Sequence, residues 1–240
     1  MLAPSGFSTR WPEDRKKGVA MRAVIIGASG GIGAALAARL AGQGAELALF
    51  SRSEHGFDLT DEASVAGHLA GLSGTYDLIF VATGALELNG VPPEKTLRAL
   101  DPGALAAQFA LNATGPALVL KHALRLLPKE RPARFAALSA RVGSIGDNGL
   151  GGWYGYRAAK AALNQLIHTA AIEISRSHPQ SVVVTLHPGT VATPLTAKYA
   201  GSYKTIPPEQ AAAHLLSVLE RLTPEDSGGF FDWQGKRIPW

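Results

Sequence analysis

Cysteine is absent from this 240-residue sequence. That excludes a disulfide framework, a thiolate metal site and a cysteine nucleophile, and it fits a reducing compartment, so a cytoplasmic location is expected. Seven histidines show no i, i+4 pair and no clustering, which leaves metal ligation without support. No apolar run approaches the ~20 residues a bilayer span needs. The opening MLAPSGFSTRWPEDRKKGVA lacks the apolar core of a signal peptide. Charge of one sign is also scarce. The formal net charge of +4 divides into +2 over residues 1–20 and +2 over the remainder, where 19 basic groups face 17 acidic ones. No helix carries a basic stripe, so a nucleic-acid footprint is not expected.

What is present suits one α/β domain large enough to bury a full core, at residues 21–240. Residues 1–20 are polar, mixed in charge and aperiodic, and read as a mobile extension. From Arg22, AVIIGASGGIGAALAARLAGQGAELALF runs apolar strand, Gly-rich turn, Ala/Leu helix, Gly turn, strand, which is a βαβ unit. Its Gly27, Gly31 and Gly33 allow a tight turn on which a pyrophosphate can meet the helix N-terminus. The second strand ends at Ser51-Arg52. An acid there would suit a ribose 2′-hydroxyl; a small hydroxyl residue and a guanidinium suit a 2′-phosphate. Only SEHGF then separates this strand from Asp58-Leu59-Thr60-Asp61, too little for a parallel crossover, so a third βα unit is lost or shortened.

Thr60 or Asp61 caps the next helix, and YDLIFVATGAL reads as a buried parallel strand with Gly84 at its carboxyl end. A long helix follows from about Pro102 to Leu127, with Asn112 inside it and a kink expected at Gly115-Pro116. RFAALSA brings Ser139 to another strand end. The strand SVVVTLHPGTV breaks at Pro188-Gly189, PPEQAAAHLLSVLERL is a helix, and GGFFDW is a last short strand. Alternating strands and helices imply a doubly wound parallel sheet with helices on both faces, whose ligands bind at the carboxyl strand ends. The marked residues gather there.

Between two of those strands lies GLGGWYGYRAAKAALN, where Tyr156 and Lys160 leave one helix face a turn apart. A neighbouring ammonium favours the phenolate, which makes the pair a candidate acid/base near neutral pH. Trp153 either floors a pocket beside it or packs within its loop. His187, before Pro188, reads as a strand-end packing residue.

Together, Gly27-x-x-x-Gly31-x-Gly33, Asn112, a strand-end serine, Tyr156-x-x-x-Lys160 and Pro188-Gly189 with Thr193 resemble the classical short-chain dehydrogenase/reductases, over essentially all of residues 21–240. The stretch SARVGSIGDN…GGWYGYRAAKAALN and the ending GFFDWQGKRIPW are similar to the C-factor-like branch, with its Sniffer-type carbonyl reductases. The resemblance implies a single-domain Rossmann fold and a homodimer or homotetramer. It implies NADP(H) as the preferred cofactor, with NAD(H) possible, held by the turn Gly27, Ser29, Gly30, Gly31, Ile32 and Gly33. Ser51 and Arg52 would take the 2′ group, and Asp58 and Leu59 would border the adenine. Ala82, Thr83 and Gly84 line the middle of the site, and Pro188, Gly189, Val191 and Thr193 grip the nicotinamide. Tyr156 is the implied acid/base, Lys160 lowers its pKa and holds the ribose, Asn112 holds a water linking Lys160 to solvent, and Ser139 bonds the substrate carbonyl.

Several residues depart from the family pattern. Ile26 stands where the family has Thr, and Val81-Ala82-Thr83-Gly84 replaces Asn-Asn-Ala-Gly. Counting back from Gly143 puts Ala140 in the usual serine slot, with Ser139 preferred and Ser144 the fallback. The implied function is carbonyl/alcohol oxidoreduction on a small-molecule substrate. An NADP(H)-binding sensor with weak or vestigial chemistry is the alternative.

Overall fold

The computed structural model describes residues 20–198 and 204–240. The N-terminal extension and part of the segment from Thr193 to Ile206 therefore lie outside the described residues. The βαβ start is β1 (Arg22–Ile26), α1 (Gly31–Gly42) and β2 (Glu46–Phe50). A four-residue α2 (Arg52–His55) and α3 (Glu62–Ala70) lead to β3 (Leu78–Val81). Next come α4 (Pro102–Phe109), α5 (Gly115–Ala123), β4 (Ala133–Leu138), α6 (Tyr154–Ile174) and β5 (Ser181–His187). The chain closes with α7 (Pro194–Ala197), α8 (Pro208–Arg221) and β6 (Phe230–Asp232).

All six strands pair in parallel, in the order β2-β1-β3-β4-β5-β6. The chain steps outward from β1 to β2 and returns to β3 on the other flank of β1. This reversal opens a crevice at the carboxyl strand ends. No strand lies outside β2 among the described residues, as the short SEHGF spacing requires. The edge is covered instead by the stacked rings of Phe50 and Phe57, 5.3 Å apart, with His68 edge-on to both.

Alternation along the strands divides the core. Val24, Ile26, Ile79, Val81, Phe135, Ala137 and Val183 face α3, α5 and α6. Ala23, Ile25, Phe80, Leu138, Val184 and Leu186 face α1 and α8, meeting Leu36, Leu40, Leu215 and Leu219. Asp61, not Thr60, caps α3, accepting from the Ala63 N–H at 3.0 Å.

The long helix is irregular one turn earlier than its Gly-Pro pair suggests. Ala110–Thr114 form a π-turn between α4 and α5. Pro116 has no N–H to donate, and its ring crowds the carbonyl four residues back, at Asn112; the widened turn relieves both. By length and composition Pro102–Leu126 would also pass as a membrane span. Here it packs on α3 and α6 as a layer of the fold.

Candidate functional site

The turn after β1 is built by contacts that side chains would prevent. Gly27 has φ +88°, and a Cβ there would meet the Ala82 carbonyl at 2.9 Å. A Cβ at Gly33 would stand 2.1 Å from the Gly27 oxygen, so α1 sits directly on the turn. Gly31 faces Thr193, whose Cγ2 would be 2.9 Å from an added Cβ. The first N–H groups of α1 have no intrahelical acceptor and point at whatever occupies the cleft.

Past β2, Ser51 is buried and committed. Its hydroxyl accepts from the Glu54 N–H at 3.3 Å and lies 3.2 Å from His55 Nδ1. Arg52 is exposed, and Ser53, which sequence reasoning passed over, donates to Ser29 across the glycine turn at 3.2 Å. Asp58 Oδ1 accepts from both the N–H and the hydroxyl of Thr60, which holds its carboxyl below the usual range. Leu59 is buried against Gly115, at the start of α5. Ser51, Arg52, Asp58 and Leu59 all lie outside the cleft lining.

The chemistry-bearing end forms where β4 and α6 meet. Lys160 is 2% exposed, and its Nζ donates to the Leu138 carbonyl at 2.8 Å. The same Nζ lies 5.8 Å from the centre of the Tyr156 ring. Burial lowers the ammonium pKa to about 7 and pushes the Tyr156 phenol up. The ammonium was expected to favour the phenolate; loss of solvent outweighs that attraction, because the low-dielectric interior disfavours both charged forms. Burial thus favours the neutral form of both side chains.

Ser139 lines the cleft with its hydroxyl buried and unpartnered. Ser144 is occupied elsewhere, donating to the Pro239 carbonyl at 2.5 Å and accepting from the Asp147 N–H. Strand parity explains the difference. Phe135 and Ala137 face the α6 layer, so Ser139 falls on that face too. Ala140, the position that counting back from Gly143 selects, lines the cleft as well, just ahead of a 3₁₀ turn at Arg141–Gly143.

Asn112 is fully buried on the π-turn. Its Oδ1 accepts from the Ala85 N–H at 3.1 Å, and its Nδ2 donates to the Ala85 carbonyl at 2.9 Å and to Gln108 at 2.7 Å. The side chain thus pins the loop after β3, and Gly84 is the residue that lets Asn112 and Lys160 come so near: an added Cβ would be 3.0 and 3.2 Å from them.

A second pin was invisible in the sequence. The buried Glu94 carboxylate accepts from the Gly155 N–H at 3.1 Å, at the amino end of α6, and its carbonyl accepts from Trp153 N–H at 2.5 Å. Gly151, Gly152 and Trp153 all take positive φ, at 65°, 65° and 52°. This left-handed run delivers the chain to the helix, and the Trp153 side chain lines the cleft. Glu94 supplies the acid that the first turn of α6 otherwise lacks.

One cleft of about 800 Å³ joins these parts, from Ser29–Ile32 past Ala82–Gly84 to Ser139, Tyr156 and Lys160, then Pro188, Gly189, Val191 and Thr193. A family model described as short chain dehydrogenase matches residues 21–203. The chain belongs to the short-chain dehydrogenase family. A Rhodococcus sp. relative, 1-hydroxy-2-glutathionyl-2-methyl-3-butene dehydrogenase, is 36% identical over 190 residues, covering 78% of this chain and 80% of its own. The C-signal protein of Myxococcus xanthus is 37% identical over 142 residues, 59% of this chain and 81% of its own. Among solved structures, the carbonyl reductase Sniffer of D. melanogaster superposes with a TM-score of 0.80 at 21% identity, covering 92% of this chain and all of its own, 100%. A family member from Burkholderia multivorans with bound NADP superposes at 0.78 and 23% identity, with 92% and 100% covered. At these identities the superpositions speak for the fold.

Of the residues marked from sequence, those from the glycine turn to Thr193 share the short-chain dehydrogenase cleft or frame it. Ser51, Arg52, Asp58 and Leu59, which follow β2, are not among its lining, though the neighbouring Ser53 bonds the lining residue Ser29; Asn112 is outside the lining too and bonds Ala85.

Proposed function

We propose that this protein is an NADP(H)-dependent oxidoreductase that interconverts a carbonyl compound and its alcohol. The observation that carries the reading is the meeting of a buried tyrosine and lysine with an unpartnered serine hydroxyl at one end of a cleft whose other end is a glycine cradle. The cradle would hold the pyrophosphate, and its glycines leave space that side chains would fill. Arg52, with Ser53 and Ser29 beside it, would take a 2′-phosphate; Ser51 stands where a ribose-binding acid would, and the nearby Glu54 carboxylate accepts from the Ser51 hydroxyl at 3.4 Å. The chemistry that NADP(H) supplies when bound is hydride transfer.

The chain's own residues handle the oxygen. Tyr156 keeps its proton at neutral pH and releases it from Oη to the substrate oxygen during reduction. Lys160, poised near neutrality, carries charge to the phenol when that proton leaves. Ser139 donates to the same oxygen from the opposite wall. The Asn112 side chain is already spent on Ala85 and Gln108, so a water at this point would be held by carbonyls that the π-turn frees.

NADPH and NADH titrations followed by fluorescence, then a panel of aldehydes, ketones and alcohols, test the reading. Arg141 and Arg157 line the substrate end. The Rhodococcus and Sinomonas relatives are named for a glutathionyl alcohol and a hydroxycyclohexanecarboxylate. Alcohols bearing carboxylates therefore belong in the panel. Tyr156→Phe should lower turnover at least ~100-fold with NADPH affinity held within a few-fold; undiminished turnover would refute the mechanism. A sensor function is the second reading, favoured by the resemblance to C-signal. Tight NADPH binding without turnover on any compound would select it. A cytoplasmic homodimer or homotetramer completes the proposal, supported by Phe109, Leu166 and Ile172 exposed on α4 and α6.

A further inference from the structure

Asp147 is the one carboxylate among the described residues that line the cleft, against three basic side chains, Arg141, Arg157 and Lys160. Two of the three are accounted for. Lys160 lies against the Tyr156 ring and the Leu138 carbonyl, and Arg141 pairs with Asp147 at 3.2 Å. Arg157 has no carboxylate partner among the described residues. Its Nε donates to the Gly151 and Gly152 carbonyls at 3.2 and 2.9 Å, and its Nη1 donates to the Val142 carbonyl at 3.3 Å. Nη2 carries two more N–H groups and makes no hydrogen bond among the described residues. Loss of solvent lowers the Arg157 pKa, as expected of a half-buried cation without a counter-charge. Holding the left-handed run Gly151–Trp153 requires Nε and Nη1 and no charge. The positive charge and the open Nη2 are left over at the cleft wall.

We propose that Arg157 sets the substrate class: its guanidinium binds the carboxylate of an oxo or hydroxy acid whose carbonyl or alcohol group lies at Tyr156 and Ser139. The inference rests on the oxidoreductase reading above and deepens it. Arg141 and Asp147 cancel in charge, so Arg157 contributes one positive charge that a monoanion balances. Three carbonyls already fix the guanidinium, so little side-chain freedom is lost when it takes a ligand. A charge-assisted bond at a half-buried cation is stronger than one in open water. The body of the acid is apolar. Leu86, Val142, Leu150, Trp153 and Leu195 line the same cleft, and Leu150 is 85% exposed, a surface that a hydrocarbon ring or chain covers.

The test gives the NADPH-loaded full chain para-formylbenzoate and levulinate, each beside its methyl ester. In the wild type kcat/KM should be about 10-fold or more higher for the acid than for its ester, and equal handling of the two would overturn the proposal. Arg157→Gln should bring that ratio close to unity, with Arg157→Lys, which keeps the charge but not the fork, in between. A residue that only clamps the loop gives another result: both variants lower acid and ester alike and the ratio stands, which refutes the role. Should Arg157→Gln not fold, Arg157→Lys and the wild-type ratio carry the test. Calorimetric titration of the NADPH-loaded protein with para-hydroxymethylbenzoate and its methyl ester reads the same contact without turnover. If no carbonyl compound is reduced, the oxidoreductase reading fails, yet an acid bound about 10-fold tighter than its ester still supports the carboxylate site. Equal affinities refute it.

Discussion

Replacing Gly33 by alanine tests how tightly the cofactor cradle is built. The added Cβ would stand 2.1 Å from the Gly27 oxygen and 2.8 Å from its carbon, where real contacts essentially never fall below 3.0 Å. The first turn of α1 must therefore retreat by roughly 0.9 Å, the difference between 3.0 and 2.1 Å, and both partners are backbone. Overpacking of this kind costs about 1–3 kcal/mol, while alanine's better helix propensity returns about 0.5–1 kcal/mol. A net loss of about 1–2 kcal/mol lowers Tm by roughly 2–8 °C in a domain of this size. Withdrawing the helix N-terminus should also weaken NADPH binding by about 10-fold, or about 1.4 kcal/mol. Gly42 is the matched control: it ends the same helix, and an added Cβ meets nothing within 4 Å. Gly42→Ala should leave binding untouched and raise Tm by a degree or more. Thermal melts and a fluorescence titration on both variants decide the matter. A Gly33→Ala protein with unchanged Tm and unchanged NADPH affinity would refute the cradle.

Further predictions concern selectivity, the helix pin and pH. Arg52→Ala should weaken NADPH binding about 10-fold or more and leave NADH binding unchanged, measured by parallel titrations. Glu94→Gln keeps the shape of the pin but removes its charge; Tm should fall by a few degrees, and kcat should fall more than the KM for NADPH rises. Stability should climb as pH rises from about 7 toward 10, because the unfolded chain binds the Lys160 proton in that range and the folded chain has released it. Above about 10 it should decline, since folded Tyr156 retains a proton that the unfolded chain gives up. Urea melts across this range check both limbs, and Lys160→Met should abolish the rise. A separate rise between about pH 4 and 6.5 comes chiefly from His187, with His178 adding to it, and should shrink in His187→Asn.

Periodicity and spacing made the sheet legible. The alternation of apolar strands with Ala/Leu helices implied a doubly wound parallel sheet without its strand order, and the short SEHGF spacing forecast a lost or shortened unit after β2. Other features depend on contacts between distant residues and leave no local mark. Glu94 sits in a polar linker, and nothing near it announces that it caps α6. Gly115-Pro116 forecast a kink, but the distortion is expressed at Asn112, because proline's steric demand acts four residues back. The titration of Tyr156 and Lys160 was misjudged for a related reason. Spacing places two side chains on one face, whereas the direction of a pKa shift depends on how much solvent the finished fold removes. Ser139 and the Ala140 that the count from Gly143 favoured both line the cleft; the face each presents is set by strand parity, which a motif count does not carry.

Ending the sheet at β2 has a further consequence. Between Ser51 and Asp61 one short segment shields the last strand with Phe57, starts α3 through the Asp61 cap, and presents Arg52 and Ser53 beside the glycine turn. These duties are inherited together. Grafting that segment into another protein of this architecture would transfer edge protection and nucleotide preference as one unit, and random change within it should rarely alter one without the other.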